Sequence, residues 1–71
     1  MRLKYRFIYF TEKRHPLFPE VYAFECRSNR TKGLLGIIIV GDFGKWELQP
    51  EPMMGFTVQC LKDIVDFIGQ L

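Results

Sequence analysis

Polar and apolar residues alternate with a period of two over much of this chain, and the period changes to a helical one near its end. Leu3, Tyr5, Phe7 and Tyr9 alternate with Arg2, Lys4 and Arg6, as in a strand that buries one face, and predict a first strand over about residues 2–10. Tyr22, Phe24 and Cys26 alternate with Ala23, Glu25 and Arg27 and predict a second strand over about 21–27. The apolar run Leu34 to Val40, interrupted only by Gly36, reads as a buried third strand over 34–40, and Lys45 to Gln49 alternates again as a fourth over 45–49. From Val58 the spacing becomes threes and fours. Val58, Leu61, Ile64, Val65, Ile68 and Leu71 form one stripe, with Gln59, Lys62, Asp63, Asp66 and Gln70 opposite. This predicts a helix over about 58–71 whose stripe covers the sheet, with the Thr57 hydroxyl as its N-cap.

The connections suit that assignment. Residues 11–20 carry charges and two prolines, which favours a long connection. The polar segment Ser28 to Gly33 suits a hairpin loop, and Gly41 and Gly44 supply the conformational freedom of a second tight turn. Pro50 and Pro52 end the ladder because proline has no backbone N–H to donate. Sequential strands joined this way form an antiparallel meander. The expected fold is therefore α+β, a four-stranded antiparallel meander followed by one C-terminal helix packed on one face, as a single small domain over 1–71. In the order of its elements it resembles the single-stranded-DNA-binding transcriptional coactivator domains, which work as dimers. That resemblance is one of architecture, and no motif of the family maps onto residues here.

Composition then suggests a use. A core built from 71 residues is marginal, with a net gain of about 3–5 kcal/mol. Yet 48% of the residues are apolar and Phe alone occurs seven times, so some apolar surface is left for a protein partner or a second copy of the chain. The candidate contacts are Leu17 and Phe18, set between Pro16 and Pro19, Met53 and Met54 beyond the fourth strand, and Phe67 at the margin of the helical stripe. Leu17 and Phe18 have a second reading, as a loop that folds back to cap the core.

Charge gives an alternative. The net charge of +2 divides into +5 through Gly33, from eight Lys/Arg against three Glu, and −3 beyond it. Antiparallel pairing brings the start of the first strand to the end of the sheet that holds the loop between strands two and three. Arg2, Lys4, Arg27, Arg30 and Lys32 are thereby gathered as a candidate site for nucleic-acid phosphates, with Glu25 and Glu51 near enough to neutralise part of the field. By strand parity Tyr5, Phe7 and Tyr9 point away from Arg2, Lys4 and Arg6, which assigns these aromatics to the core and not to a base-stacking surface. Trp46 is assigned to the core by the same parity.

Several function classes lose support. His15 is the only histidine, and Cys26 and Cys60 form no Cys-x-x-Cys pair, so neither a metal site nor a disulfide framework is expected, and both cysteines read as free thiols. Asp42, Phe43 and Gly44 spell the magnesium triplet of protein kinases without any of the accompanying signatures, and read as a turn. No nucleophile and base share a recognisable spacing. The expectation is a non-enzymatic protein with no catalytic residues, no cofactor and no small-molecule substrate. No apolar run approaches the roughly 20 residues of a membrane span, and the charges interleaved among the first residues do not form a secretory signal. A cytoplasmic protein is expected, and a chain of this kind suits a bacterial or phage accessory protein.

Overall fold

The computed structural model describes residues 1–14, 17, 22–41 and 43–71. Among these, the strands β1 (Ile8–Arg14), β2 (Tyr22–Ser28), β3 (Leu34–Val40) and β4 (Trp46–Pro50) form one antiparallel sheet in the order β1-β2-β3-β4. The helix α1 (Val58–Gly69) follows and packs on one face, giving the expected ββββα fold.

Side-chain alternation assigns the faces. Register partners Phe10 and Cys26, Phe24 and Ile38, and Ile38 and Leu48 share the face toward the helix. That face supplies the buried Ile8, Phe10, Phe24, Cys26 and Ile38, the helix supplies Ile64 and Phe67, and Tyr5 closes one side. Leu48 and Trp46 of β4 reach the same core but are only half-buried. Tyr9, Thr11, Glu25, Arg27, Ile37 and Ile39 occupy the opposite face. The register slips between Cys26, which pairs with Gly36, and Arg27, which pairs with Leu34. Leu35 is the extra residue of this bulge and packs against the core.

The first strand departs from expectation in position and in parity. It begins at Ile8, because the chain reverses at Arg6 and Phe7: the Tyr5 N–H donates to the Ile8 carbonyl at 2.9 Å and the Phe10 N–H to the Leu3 carbonyl at 2.8 Å. Residues 3–7 are thus a short arm laid along the outer edge of β1, bridged at Lys4 and Tyr9. Ile8 and Phe10 face the core, not Phe7 and Tyr9, since a shift of one residue exchanges the faces of a strand. Thr11 to Arg14, assigned to a connection on their polarity, complete β1 by pairing with Glu25, Phe24, Ala23 and Tyr22. His15, Phe18 and Asp42 lie outside the described residues.

At the other end, Thr57 caps the helix as expected, its hydroxyl accepting from the Cys60 N–H at 3.2 Å. The turn that delivers the chain from β4 to the helix has Pro52 followed by Met53 at φ 67°, and the Met54 N–H donates to the Glu51 carbonyl at 3.2 Å. Proline then a positive φ is the pattern of a type II turn, whose third position favours glycine. The helix ends at Gly69, two residues earlier than the pattern suggests, with Gln70 as its cap.

Candidate interaction surfaces

The helix carries apolar residues around roughly half of its circumference, and the sheet covers only half of that arc. Cys60, Ile64, Phe67 and Ile68 turn toward the sheet. Phe67 is fully buried, stacked on the Phe10 ring at 3.9 Å between centroids and edge-on to Phe24 at 5.1 Å. Val58, Leu61 and Val65, placed by the sequence pattern in the covering stripe, are instead exposed at 69%, 44% and 70%. The stripe has rotated toward the bulkiest side chain. Counting apolar positions favours the Leu61 side, whereas Phe67 buries the largest area and fixes the rotation.

Polar contacts fix the same rotation from the β1 side. The Tyr5 hydroxyl donates to Asp66 Oδ2 at 2.7 Å. Gln70 brackets Arg2, its Oε1 accepting from the Arg2 N–H at 2.7 Å and its Nε2 donating to the Arg2 carbonyl at 2.9 Å. The Arg2 guanidinium lies 4.2 Å from the centre of the Tyr5 ring. Burial, then the hydrogen bond to Asp66 and the charge of that carboxylate, push the Tyr5 phenol up to about 12. With Asp66 and Gln70 tied to the N-terminal arm, the flank holding Leu61 and Val65 is turned away from that arm and left exposed. The sheet is also incompletely covered at β4. There Trp46 and Leu48 are half-covered, and Val40, the register partner of Trp46, is exposed.

Of the expected protein contacts, Met53 is fully exposed at its turn and Met54 is partly so. Leu17 is exposed, and Phe18 lies outside the described residues. Phe67 belongs to the core and offers no outer surface, because the stacking on Phe10 turns it inward.

The basic residues differ in what engages them. Lys4 and Lys32 come together as expected and line an open pocket of about 470 Å³ with Tyr9 and Asn29. Asn29 holds the two segments in place, its side-chain amide donating to the carbonyls of Tyr5 at 2.7 Å and Arg6 at 3.0 Å. The Lys32 ammonium stands 5.3 Å from the centre of the Tyr9 ring, and Lys32 itself has φ 64°. Arg27 adjoins, donating to the Lys32 carbonyl at 2.9 Å, but is paired with Glu25 at 3.2 Å. Arg30 is exposed in the β2–β3 loop. Arg2 adjoins Lys4, its Nε donating to the Lys4 carbonyl at 3.2 Å, while its guanidinium lies over the Tyr5 ring and its backbone bonds Gln70. Tyr9 stands on the open face beside the lysines, so the parity argument against stacking fails together with the parity of β1. The reversal at Arg6 also leaves Phe7 exposed, with the Arg6 guanidinium 5.1 Å from its ring centre.

Among the described residues no group of His, Cys, Asp and Glu can hold a metal ion. Both cysteines are free, and burial pushes the Cys26 thiol up to about 12, far from a reactive thiolate. No described helix is long and apolar enough to cross a membrane. Comparison of the chain with family models, curated proteins and solved structures finds no match.

Proposed function

We propose that this chain is a non-enzymatic interaction domain that binds a protein chain over β4 and the adjoining flank of α1. The observation that carries this reading is the half-covered apolar arc of the helix. Val58, Leu61 and Val65 face solvent, Trp46 and Leu48 on the helix-bearing face of the sheet are only half-buried, and the opposite flank of the helix is closed by hydrogen bonds. A small domain gains by burying such residues, and covering them with a partner stabilises it by mass action. Affinity capture with the native chain and with a Leu61→Lys, Val65→Lys variant as bait, both treated with nuclease, tests the reading. A protein held by the native bait through nuclease and moderate salt, and lost by the folded variant, supports it. Equal capture by both baits contradicts it.

A second reading, binding of single-stranded nucleic acid, is favoured by the pocket that sets Lys4, Lys32 and Asn29 around the Tyr9 ring. Bases stack on aromatics flanked by cations, and affinity then falls steeply with salt. Fluorescence anisotropy of labelled oligonucleotides tests it. The expected result is low-salt binding that weakens when Lys4 and Lys32 are replaced by alanine, and absence of binding at high micromolar protein refutes it.

A further inference from the structure

The two edges of the sheet differ. The outer edge of β1 is occupied by the N-terminal arm, whose Leu3 carbonyl accepts from Phe10 and whose Lys4 bridges Tyr9. β4 is the last strand in the order, and among the described residues nothing pairs with its outer edge. The direction of its backbone groups follows from two bonds. The Gly41 N–H donates to the Lys45 carbonyl at 2.8 Å and the Glu51 N–H to the Leu35 carbonyl at 2.9 Å. The odd-numbered residues of this strand therefore bond to β3, and alternation turns the N–H groups of Trp46 and Leu48 and the carbonyls of Trp46, Leu48 and Pro50 to the free edge. Pro50 has no N–H, so this edge holds two donors and three acceptors.

Resting on the reading that this side of the molecule binds a protein chain, we propose that the chain is a second copy, paired antiparallel to β4 about a two-fold axis at Leu48. In that register Leu48 faces Leu48 of the second copy, and Trp46 faces Pro50. Every free donor finds an acceptor: each Leu48 N–H meets the other Leu48 carbonyl, and each Trp46 N–H meets a Pro50 carbonyl. The side chains of the opposite face are self-complementary in the same register, for Lys45 lies opposite Glu51 of the second copy and Glu47 opposite Gln49, each pair occurring twice. The neighbouring register, centred on Glu47, would place the two Glu47 carboxylates directly opposite each other. Charge thus selects both the partner and the alignment.

The same axis accounts for the apolar flank. A two-fold perpendicular to the sheet keeps both helices on one face, so the exposed Leu61 and Val65 of both copies lie on the same side of the joined sheet as the half-buried Trp46 and Leu48. A single association thereby completes the ladder and the charge pairs and gathers the exposed apolar residues of two helices on one face.

Charge reversal tests the register. Lys45 and Glu51 stand six residues apart on an extended strand, about 20 Å, so they have no means of pairing within one chain. Sedimentation equilibrium at low ionic strength is run on the native chain, on Lys45→Glu, on Glu51→Lys and on the double swap, with circular dichroism to confirm folding. The proposal expects the native chain at twice its mass of 8.4 kDa, each single reversal weakening the dimer by about tenfold or more, and the double swap restoring it. A native chain that remains monomeric at high micromolar concentration overturns the proposal. So does a dimer that ignores both charge reversals and is lost on Val65→Lys. That second result would leave the apolar flank standing as the binding surface while rejecting the β4 alignment, and the capture experiment judges the wider reading separately.

Discussion

The two flanks of the helix are finished differently. On the β1 side Phe67 stacks on Phe10, Tyr5 bonds Asp66, Gln70 brackets Arg2, and the arm of residues 3–7 lies along the sheet edge. On its other flank the helix shows Val58, Leu61 and Val65 to solvent, and among the described residues nothing pairs with the outer edge of β4. Aromatic packing and satisfied polar groups close one side within the chain, so what is left apolar on the other is available to something outside it. The asymmetry teaches that surplus hydrophobicity in a small domain is informative through its location more than its amount.

The closed side is broken most severely by Phe67→Ala, which removes a fully buried ring. The expected cost is about 3–5 kcal/mol, comparable with the whole stability of a domain this size. Chemical denaturation should find the variant largely unfolded, and a loss below 1 kcal/mol would show that the stacking on Phe10 is not what holds the helix.

Tyr5→Phe probes the polar closure of the same side. Removing the hydroxyl that donates to Asp66 should cost about 1 kcal/mol, since Asp66 is solvent-exposed and regains water. The native chain should also show the corresponding pH dependence. Tyr5 ionises near 10 in the unfolded chain and near 12 in the folded one. Above pH 10 the unfolded state therefore holds fewer protons at this site, and the stability present below pH 10 is lost as pH rises through 12. Denaturant midpoints measured across that window should fall in the native chain and fall less in Tyr5→Phe.

Much of the fold is legible in the sequence. β3 coincides with its apolar run, β2 lies one residue from its assignment, and Thr57 caps the helix, because each rests on a strong local signal. Two features were hidden for physical reasons. Residues 2–7 alternate like a strand yet form the arm of a reversal, since the hydrogen bonds at Tyr5 and Phe10 depend on pairing that alternation does not encode. Thr11 to Arg14 lack apolar residues and become strand through their ladder with β2. The rotation of the helix is not legible: the pattern puts Phe67 at the margin and Leu61 under the stripe that covers the sheet, the reverse of the observed packing. Weighting positions by side-chain volume would have found it. The meeting of Lys4 with Lys32 was legible from topology, whereas the presence of Tyr9 between them depended on the parity of β1.

Smaller effects sharpen the open side. Met53 adopts φ 67° while its side chain meets solvent. Met53→Gly should therefore stabilise the monomer by about 0.5–1 kcal/mol, read as a rise in thermal midpoint. Val65→Lys should be nearly neutral for the isolated chain, within about 0.5 kcal/mol, because an exposed position loses little apolar burial. The same variant should lower association strongly, and a Val65→Lys chain that is destabilised by several kcal/mol would show that the flank is already covered within the monomer.

The most direct test of the central claim is amide hydrogen exchange at Trp46 and Leu48 as a function of protein concentration, with Glu47 and Gln49 as internal references bonded to β3. The account predicts fast exchange at Trp46 and Leu48 in dilute solution and protection that grows with concentration, while the reference amides stay protected throughout. Fast exchange at Trp46 and Leu48 at every concentration, beside protected Glu47 and Gln49, would contradict it.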